Sequence, residues 1–376
     1  MELATFRYAD GAWSEPFPAL DSDRTLVIAF AAPAYAERAD VLGELAAAFP
    51  RSVLIGCSTS GEIQQARVHD DSVAVAAVRF ASTRVRRART ALTSPDGSFA
   101  AGAALAGELA GPDLRAVLVL SEGVHVNGSQ LVRGLSAHVP EHVVITGGLA
   151  GDGARFAKTW VLGSDAPEAH AVVAVGLYGE QLRVTHGSQG GWDAFGPERR
   201  ITASSGNVLY ALDGRPALEL YKAYLGERAA ELPSSALLFP LAVRDSMNAT
   251  HSVVRTVLSV DEATQSMTFA GDIPTWHYAK LMRANFDRLI LGAHDAGQAA
   301  LGEHAGPTLS IAISCVGRRL VLGERTDEEI EATLDTLPAE AQQIGFYSYG
   351  EISPHAPGRC DLHNQTMTLT VLSEAA

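Results

Sequence analysis

From Thr25 to Gly148 the chain alternates wholly apolar runs with helix-like stretches, and this rhythm restricts the fold more than any other feature. TLVIAFAA (25–32) reads as a buried strand and AERADVLGELAAA (36–48) as the helix after it. SVLIG (52–56) is a second buried strand, ending in CSTSGE. Residues 72–91 alternate as one long strand or two paired ones, carrying Arg84, Arg86, Arg87 and Arg89. Ser98–Leu109 is Ala-rich and helical, AVLVLSEG (116–123) is again a strand, 128–138 is helical, and HVVITGG (142–148) is a strand. Unbroken apolar runs of this length fit strands buried on both faces, and their alternation with helices points to a largely parallel sheet.

After Gly153 the rhythm changes. Segments 155–163, 169–178, 181–189 and 197–204 read as strands of an antiparallel meander, and Arg215-Pro216 opens a helix that runs to about Leu225. ERAAELPSSA (227–236) is the boundary the composition marks. Beyond it come strands at 237–244, 251–260 and 265–270, and a helix from about Ala284 to Leu301. The strand TLSIAISC (308–315), a helix at 326–336, and strands near 343–352 and 365–373 complete the pattern. The expected class is mixed α/β (α+β): two domains with mixed sheets and flanking helices, residues 20–226 and 227–376, without an internal repeat.

Charge and cysteine content remove several functions. With 29 Lys+Arg against 43 Asp+Glu, the 376 residues carry a net charge of −14, which repels both nucleic acid and anionic membrane surfaces. Cys57, Cys315 and Cys360 form no CxxC pair, so neither a zinc ribbon nor a disulfide framework is expected. The start MELATFRYADG lacks a signal pattern, and the longest apolar stretch, Thr25–Ala36, falls well short of the ~20 residues a bilayer needs. A cytoplasmic location is the expectation.

Many of the 35 glycines fall in polar clusters at strand ends. The first is Gly56-Cys57-Ser58-Thr59-Ser60-Gly61-Glu62, whose N–H groups and hydroxyls can face a ligand. It misses the Gly-x-Ser-x-Gly nucleophile elbow at Ser60. A hydrolase using Cys57 or Ser58 is the rival reading, but no base is identifiable, and a structural turn with a buried thiol is the simpler account. The second cluster, Gly147-Gly148-Leu149-Ala150-Gly151-Asp152-Gly153, leads into strand rather than helix, so it is no dinucleotide fingerprint; it fits a pocket wall.

The third cluster runs from Gly345 through Tyr347, Ser348, Tyr349, Gly350 and Glu351 and is followed by His363-Asn364-Gln365-Thr366. It reads equally as a polar ligand site and as an internal network. The twelve histidines show no HExxH spacing. His277, between Trp276 and Tyr278, is flanked as a haem ligand would be. The Arg84–Arg89 run reads as a solvated strand face.

At these clusters the sequence resembles the FIST family in its stand-alone form, with an N-type and a C-type domain. The resemblance rests on GCSTSGE (56–62), GGLAGDG (147–153), GNVLYALDGRPALELY (206–221), GDIP (271–274), NFDRL (285–289), SCVGRR (314–319), GFYSYGEISP (345–354) and HNQTMTLT (363–370), and it covers about residues 20–375. It implies a cytoplasmic sensory module that binds a small molecule and modulates a partner histidine kinase or diguanylate cyclase, not an enzyme.

The family's proposed ligands are amino acids. A stand-alone subset, the NosP-type proteins, binds haem, senses nitric oxide and acts in two-component signalling, so haem b is an expected cofactor and His277 its candidate axial ligand. The implied ligand contacts are Cys57, Ser58, Thr59, Ser60, Gly61 and Glu62; Gly147, Gly148 and Asp152; Tyr347, Tyr349 and Glu351; and His363, Asn364 and Thr366. After GDI this chain has Pro274-Thr275-Trp276-His277 instead of the family's Pro-Glu-Gly-Ser, a bulkier sequence that fills or reshapes the neighbouring space.

Overall fold

The computed structural model describes every residue except 164–165, 233, 250–251, 305, 357 and 376. The first structural unit begins with β1 (Glu2–Ala9) and its short partner β2 (Ala12–Trp13). It continues through β3 (Thr25–Ala31), α1 (Ala39–Ala48), β4 (Val53–Ser58), a small hairpin of β5 (Glu62–Gln64) and β6 (Arg67–His69), and β7 (Val73–Arg79). β3 and β4 are parallel, and β7 returns antiparallel between β3 and β1. The second unit repeats this order with helix α2 in the place of β2. It comprises β8 (Arg84–Ala91), α2 (Ser98–Leu109), β9 (Leu114–Ser121), α3 (Gly128–Ser136), β10 (Val144–Leu149), a hairpin of β11 (Val161–Leu162) and β12 (Pro167–Glu168), and β13 (Ala171–Tyr178). Here β9 and β10 are parallel and β13 lies between β9 and β8.

The third unit starts with β14 (Leu182–Gln189) and is then interrupted by an inserted antiparallel sheet. The insert contains β15 (Asp193–Ser205), β16 (Val208–Leu212), β17 (Arg215–Pro216), α4 (Ala217–Leu225), β18 (Leu241–Arg244), β19 (Val253–Arg255), β20 (Val257–Asp261), β21 (Ser266–Phe269) and β22 (Tyr278–Arg283). The unit resumes with α5 (Phe286–Ala299), β23 (Thr308–Cys315), α6 (Val316–Leu322), α7 (Thr326–Leu334) and β24 (Ala341–Ser348). A hairpin of β25 (Gly350–Ala356) and β26 (Arg359–His363), then β27 (Met367–Glu374), complete it. β23 and β24 are parallel and β27 lies between β23 and β14.

The chain is thus of the mixed α/β class, but it contains the internal repeat that the sequence hides. Side chains differ among the three units while strand order and register agree. Each unit also lends its hairpin to a neighbour: β5 pairs with β24, β11 with β4, and β25 with β10. The loans run round a closed circle. Inner faces of all three sheets meet in one core, where the Phe30 and Phe346 rings pack with centroids 4.6 Å apart among Ile28, Leu118, Val173 and Ile311. Outer faces are covered by α1, by α2 and α3, and by α5 and α7, so the central strands are buried on both sides. That double burial explains the unbroken apolar runs.

Three expectations change. Residues 72–91 form two strands, but β7 and β8 belong to different sheets and do not pair. The segment 155–163 is mostly loop. The 227–236 stretch lies inside the inserted sheet, which takes β15–β17 from one side of it and β18–β22 from the other. Part of the expected 251–260 strand, His251, falls outside the described residues; β19 and β20 occupy the rest. The Arg84–Arg89 run is a solvated strand face, with Arg84 paired to Asp113 at 2.7 Å and Arg89 paired to Glu168.

Close strand contacts make one glycine substitution severe and another benign. A Cβ on Gly345 would sit 1.7 Å from the Ala312 carbonyl oxygen, whereas one on Gly43 in α1 meets nothing within 4 Å. In urea unfolding, Gly345→Ala should cost about 3 kcal/mol or more. Gly43→Ala should stabilise by about 0.5 kcal/mol through lower chain entropy.

Candidate functional site

The three glycine clusters meet where the parallel strands end. Gly56, Gly147 and Gly345 hold corresponding places, each with its neighbouring strand's carbonyl (Ala29, Val119, Ala312) too close for a side chain. Two and four residues further on, the chains bond in a ring. Ser60 N–H donates to Tyr347 O at 2.8 Å, Tyr349 N–H to Leu149 O at 3.1 Å, and Gly151 N–H to Ser58 O at 2.9 Å.

Around this ring the acids are buried and satisfied. Glu62 accepts from the Thr59 hydroxyl, and from the N–H and hydroxyl of Ser72 at 3.1 and 2.7 Å. Glu351 repeats the pattern with Ser348 at 2.7 Å and with the N–H and hydroxyl of Thr366 at 3.2 and 2.9 Å. Burial raises both carboxyls against the pull of those bonds, Glu62 to about 7 and Glu351 to about 8. Asp152 instead takes the N–H groups of Phe156, Ala157 and Lys158 at 2.8–3.1 Å, and the Tyr349 phenol. The Tyr347 phenol donates to Glu329, which also pairs with the fully buried Arg318 at 2.7 Å.

The residues singled out from sequence are therefore brought together, in a packed junction. Cys57 is fully buried in the three-sheet core, and burial pushes its thiol well up. The Ser58 hydroxyl accepts from Trp160 N–H at 3.1 Å, and Ser60 Oγ from Gly153 N–H at 3.0 Å. Gly61 is held at φ 131, and a Cβ on Gly148 would press on Ile313 and Phe346. His363 is buried, with Nε2 3.1 Å from Ser353 O. Asn364 is buried beside it, and its side-chain amide has no hydrogen-bond partner among the described residues.

Open space lies elsewhere. A cleft of about 920 Å³ separates the second unit from the inserted sheet, lined by Arg133, Asp272, His277, His355, Arg359 and Asp361 among others. It shares His355, Arg359 and Cys360 with a second cavity of about 640 Å³ walled by Val139, Val143, Ile145 and Val184, with His142 and His186 on its rim. Asp272 of the GDIP segment ties the two bodies together. It accepts from Asn127 at 2.9 Å and Gln130 at 3.0 Å, beside Arg133 at 3.5 Å, and Asn127 in turn caps α3 through Gln130 N–H. The Arg255 guanidinium donates to Asp272 O at 3.1 Å and Leu362 O at 2.9 Å, and burial lowers it to about 10.

His277 does border this cleft, yet its surroundings do not fit a porphyrin. Its neighbours there include Arg133, Arg244, Asp245 and Asp272 rather than two apolar walls. Trp276, expected to flank the ring, is 60 % exposed and stacks on the Arg200 guanidinium at 4.9 Å. Sequence reasoning missed Arg359 and Asp361, which the β25–β26 hairpin loan brings to the cleft, and the Asp272 clamp, which the inserted sheet brings to α3.

A double-bodied α/β protein with a charged cleft along the seam has the anatomy of a ligand-binding protein. It belongs to the FIST family: the FIST N domain matches residues 25–215 and the FIST C domain 217–354. FIST domains are small-ligand sensory domains of signalling proteins. No curated protein matches the chain. Among solved structures, a cyanuric acid hydrolase from A. caulinodans aligns over 78 % of this chain and 99 % of its own, at 14 % identity and a TM-score of 0.20, too low to inform the chemistry. Among the described residues, no helix is long and apolar enough to cross a membrane.

The raised acids set a pH dependence. Since the folded chain holds these two protons more tightly than the unfolded chain, their contribution is full below about pH 4.5 and declines as pH rises toward 7 and 8. Urea unfolding across pH 4.5–8.5 should show that decline, and Glu62→Gln or Glu351→Gln should flatten it.

Proposed function

We propose that this chain is a cytoplasmic sensor without catalytic activity. It takes an amino-acid-like metabolite into the seam cleft and passes its occupancy to a partner histidine kinase or diguanylate cyclase. The observation that carries this reading is the cleft itself, which joins two bodies and offers both signs of charge: Arg133 and Arg359 for a carboxylate, Asp272 and Asp361 for an ammonium group. A ligand held by both bodies binds their closed arrangement better than any other, and only such differential affinity can move a signalling equilibrium. Three free cysteines agree with a reducing compartment. Deep burial of Cys57, and Ser58 engaged with Trp160, argue against the hydrolase reading.

A second reading keeps haem b and nitric oxide but moves them from His277 to the adjoining 640 Å³ cavity. Its support is the apolar wall of Val139, Val143, Ile145 and Val184 with the half-buried His186 facing the same space. Haem there would supply the iron to which nitric oxide binds.

Thermal unfolding against a panel of free amino acids separates these readings. A saturable rise in Tm is expected for at least one, about 2.7 kcal/mol at one hundred times Kd. Arg359→Ala, which removes a cleft cation, should weaken that ligand about tenfold. No stabilisation by any amino acid, together with a Soret band on hemin addition that is lost in His186→Ala, would replace the first reading with the second.

A further inference from the structure

A third cavity, of about 380 Å³, opens beside the ring on the second unit, away from the seam cleft. On its wall stand Glu122, His125 and His170, with one ligand atom from each lying within 4.8 Å of the others. We propose that these three side chains form a binding site for a late first-row divalent cation such as zinc.

Two imidazoles and one carboxylate are the donor set that borderline divalent ions prefer, and three protein ligands leave positions open for an exchangeable group. Glu122 is buried and aimed. Its oxygens accept the N–H groups of His125 at 2.6 Å and Val124 at 3.1 Å, and the Thr159 hydroxyl at 3.4 Å, which fixes the carboxylate plane as an outer shell does for a metal ligand. His125 Nδ1 lies 3.5 Å from Glu122, and the His125 and His170 ring centroids are 4.8 Å apart with the planes tilted at 56°. Both imidazoles are exposed, so small χ rotations bring their nitrogens to bonding distance without disturbing the core. Lys158 lines the same cavity, a setting that would favour an anionic ligand on the metal.

The repeat supplies an internal control. Glu122 N–H donates to Ala171 O at 3.0 Å, as Ala32 N–H does to Ser72 O at 3.0 Å and Cys315 N–H to Thr366 O at 3.2 Å in the other units. Immediately before those acceptors stand His170, Asp71 and Gln365, all in the left-handed region at φ 54, 52 and 63. The backbone is thus the same three times, yet the corresponding pairs are Ala32 with Asp71 and Cys315 with Gln365. The shared backbone requires neither a carboxylate at the first place nor an imidazole at the second, and only the second unit combines the two.

Titration of the metal-stripped full-length protein with cobalt(II), followed by visible absorption and by calorimetry with zinc, tests the site. One equivalent should bind at micromolar Kd, with bands of mixed nitrogen and oxygen ligation. His125→Ala/His170→Ala should weaken binding at least a hundredfold and Glu122→Gln at least tenfold, with unfolding curves confirming that each variant folds. Equal binding by wild type and the double histidine variant would overturn the proposal. So would the absence of stoichiometric binding below millimolar metal. Seam-cleft ligand binding is measured separately and is untouched by either result.

Discussion

Three backbone hydrogen bonds, from Ser60 to Tyr347, from Tyr349 to Leu149 and from Gly151 to Ser58, close the protein on itself, and the rest of the architecture depends on that closure. Each sheet is completed by another unit's hairpin, so no unit has a finished edge alone. Buried N–H and C=O groups at three strand ends find partners only when all three units are in place. Close approach of the strands leaves no room for side chains at Gly56, Gly147 and Gly345, which is why glycine recurs at one place in three unrelated-looking motifs. Such pairings link residues hundreds of positions apart, and long-range closure of this kind slows folding.

Much of the secondary structure was legible because doubly buried strands write themselves as apolar runs: 25–32, 52–56, 116–123 and 308–315 all became central strands. The repeat was not legible. Its marks are a shared register, shared left-handed turns at Asp71, His170 and Gln365, and a single glycine common to all three units, too few residues to reveal a repeat. Strand partners were equally hidden, since β5 and β11 are too short to announce a sheet and all three of β5, β11 and β25 pair outside their own unit.

The candidate site was legible in part, and for a physical reason. Hydroxyls, acids and tyrosines clustered at strand ends are what a ligand pocket needs, but a buried junction needs the same chemistry to satisfy its own backbone. Glu62 and Glu351 show the second use, each held by three donors from its own unit. Composition cannot separate the two uses; burial and partners can. Residues that do face open space, such as Arg359 with Asp272 or Glu122 with His170, come from segments that only tertiary pairing makes neighbours.

The inserted sheet is attached to the three-unit body by two chain crossings, between β14 and β15 and between β22 and α5. These run side by side, because Asp193 pairs with Arg283 across the first rungs of the insert, and Asn285 and Arg288 both hold the Asp193 carboxylate. The insert is held a second time where Asp272 meets Asn127 and Gln130 of the second unit and Arg255 donates to Leu362 O. With the chain crossings at one place and the Asp272 clamp at another, the insert is braced on the three-unit body, and the cleft takes its walls from both bodies.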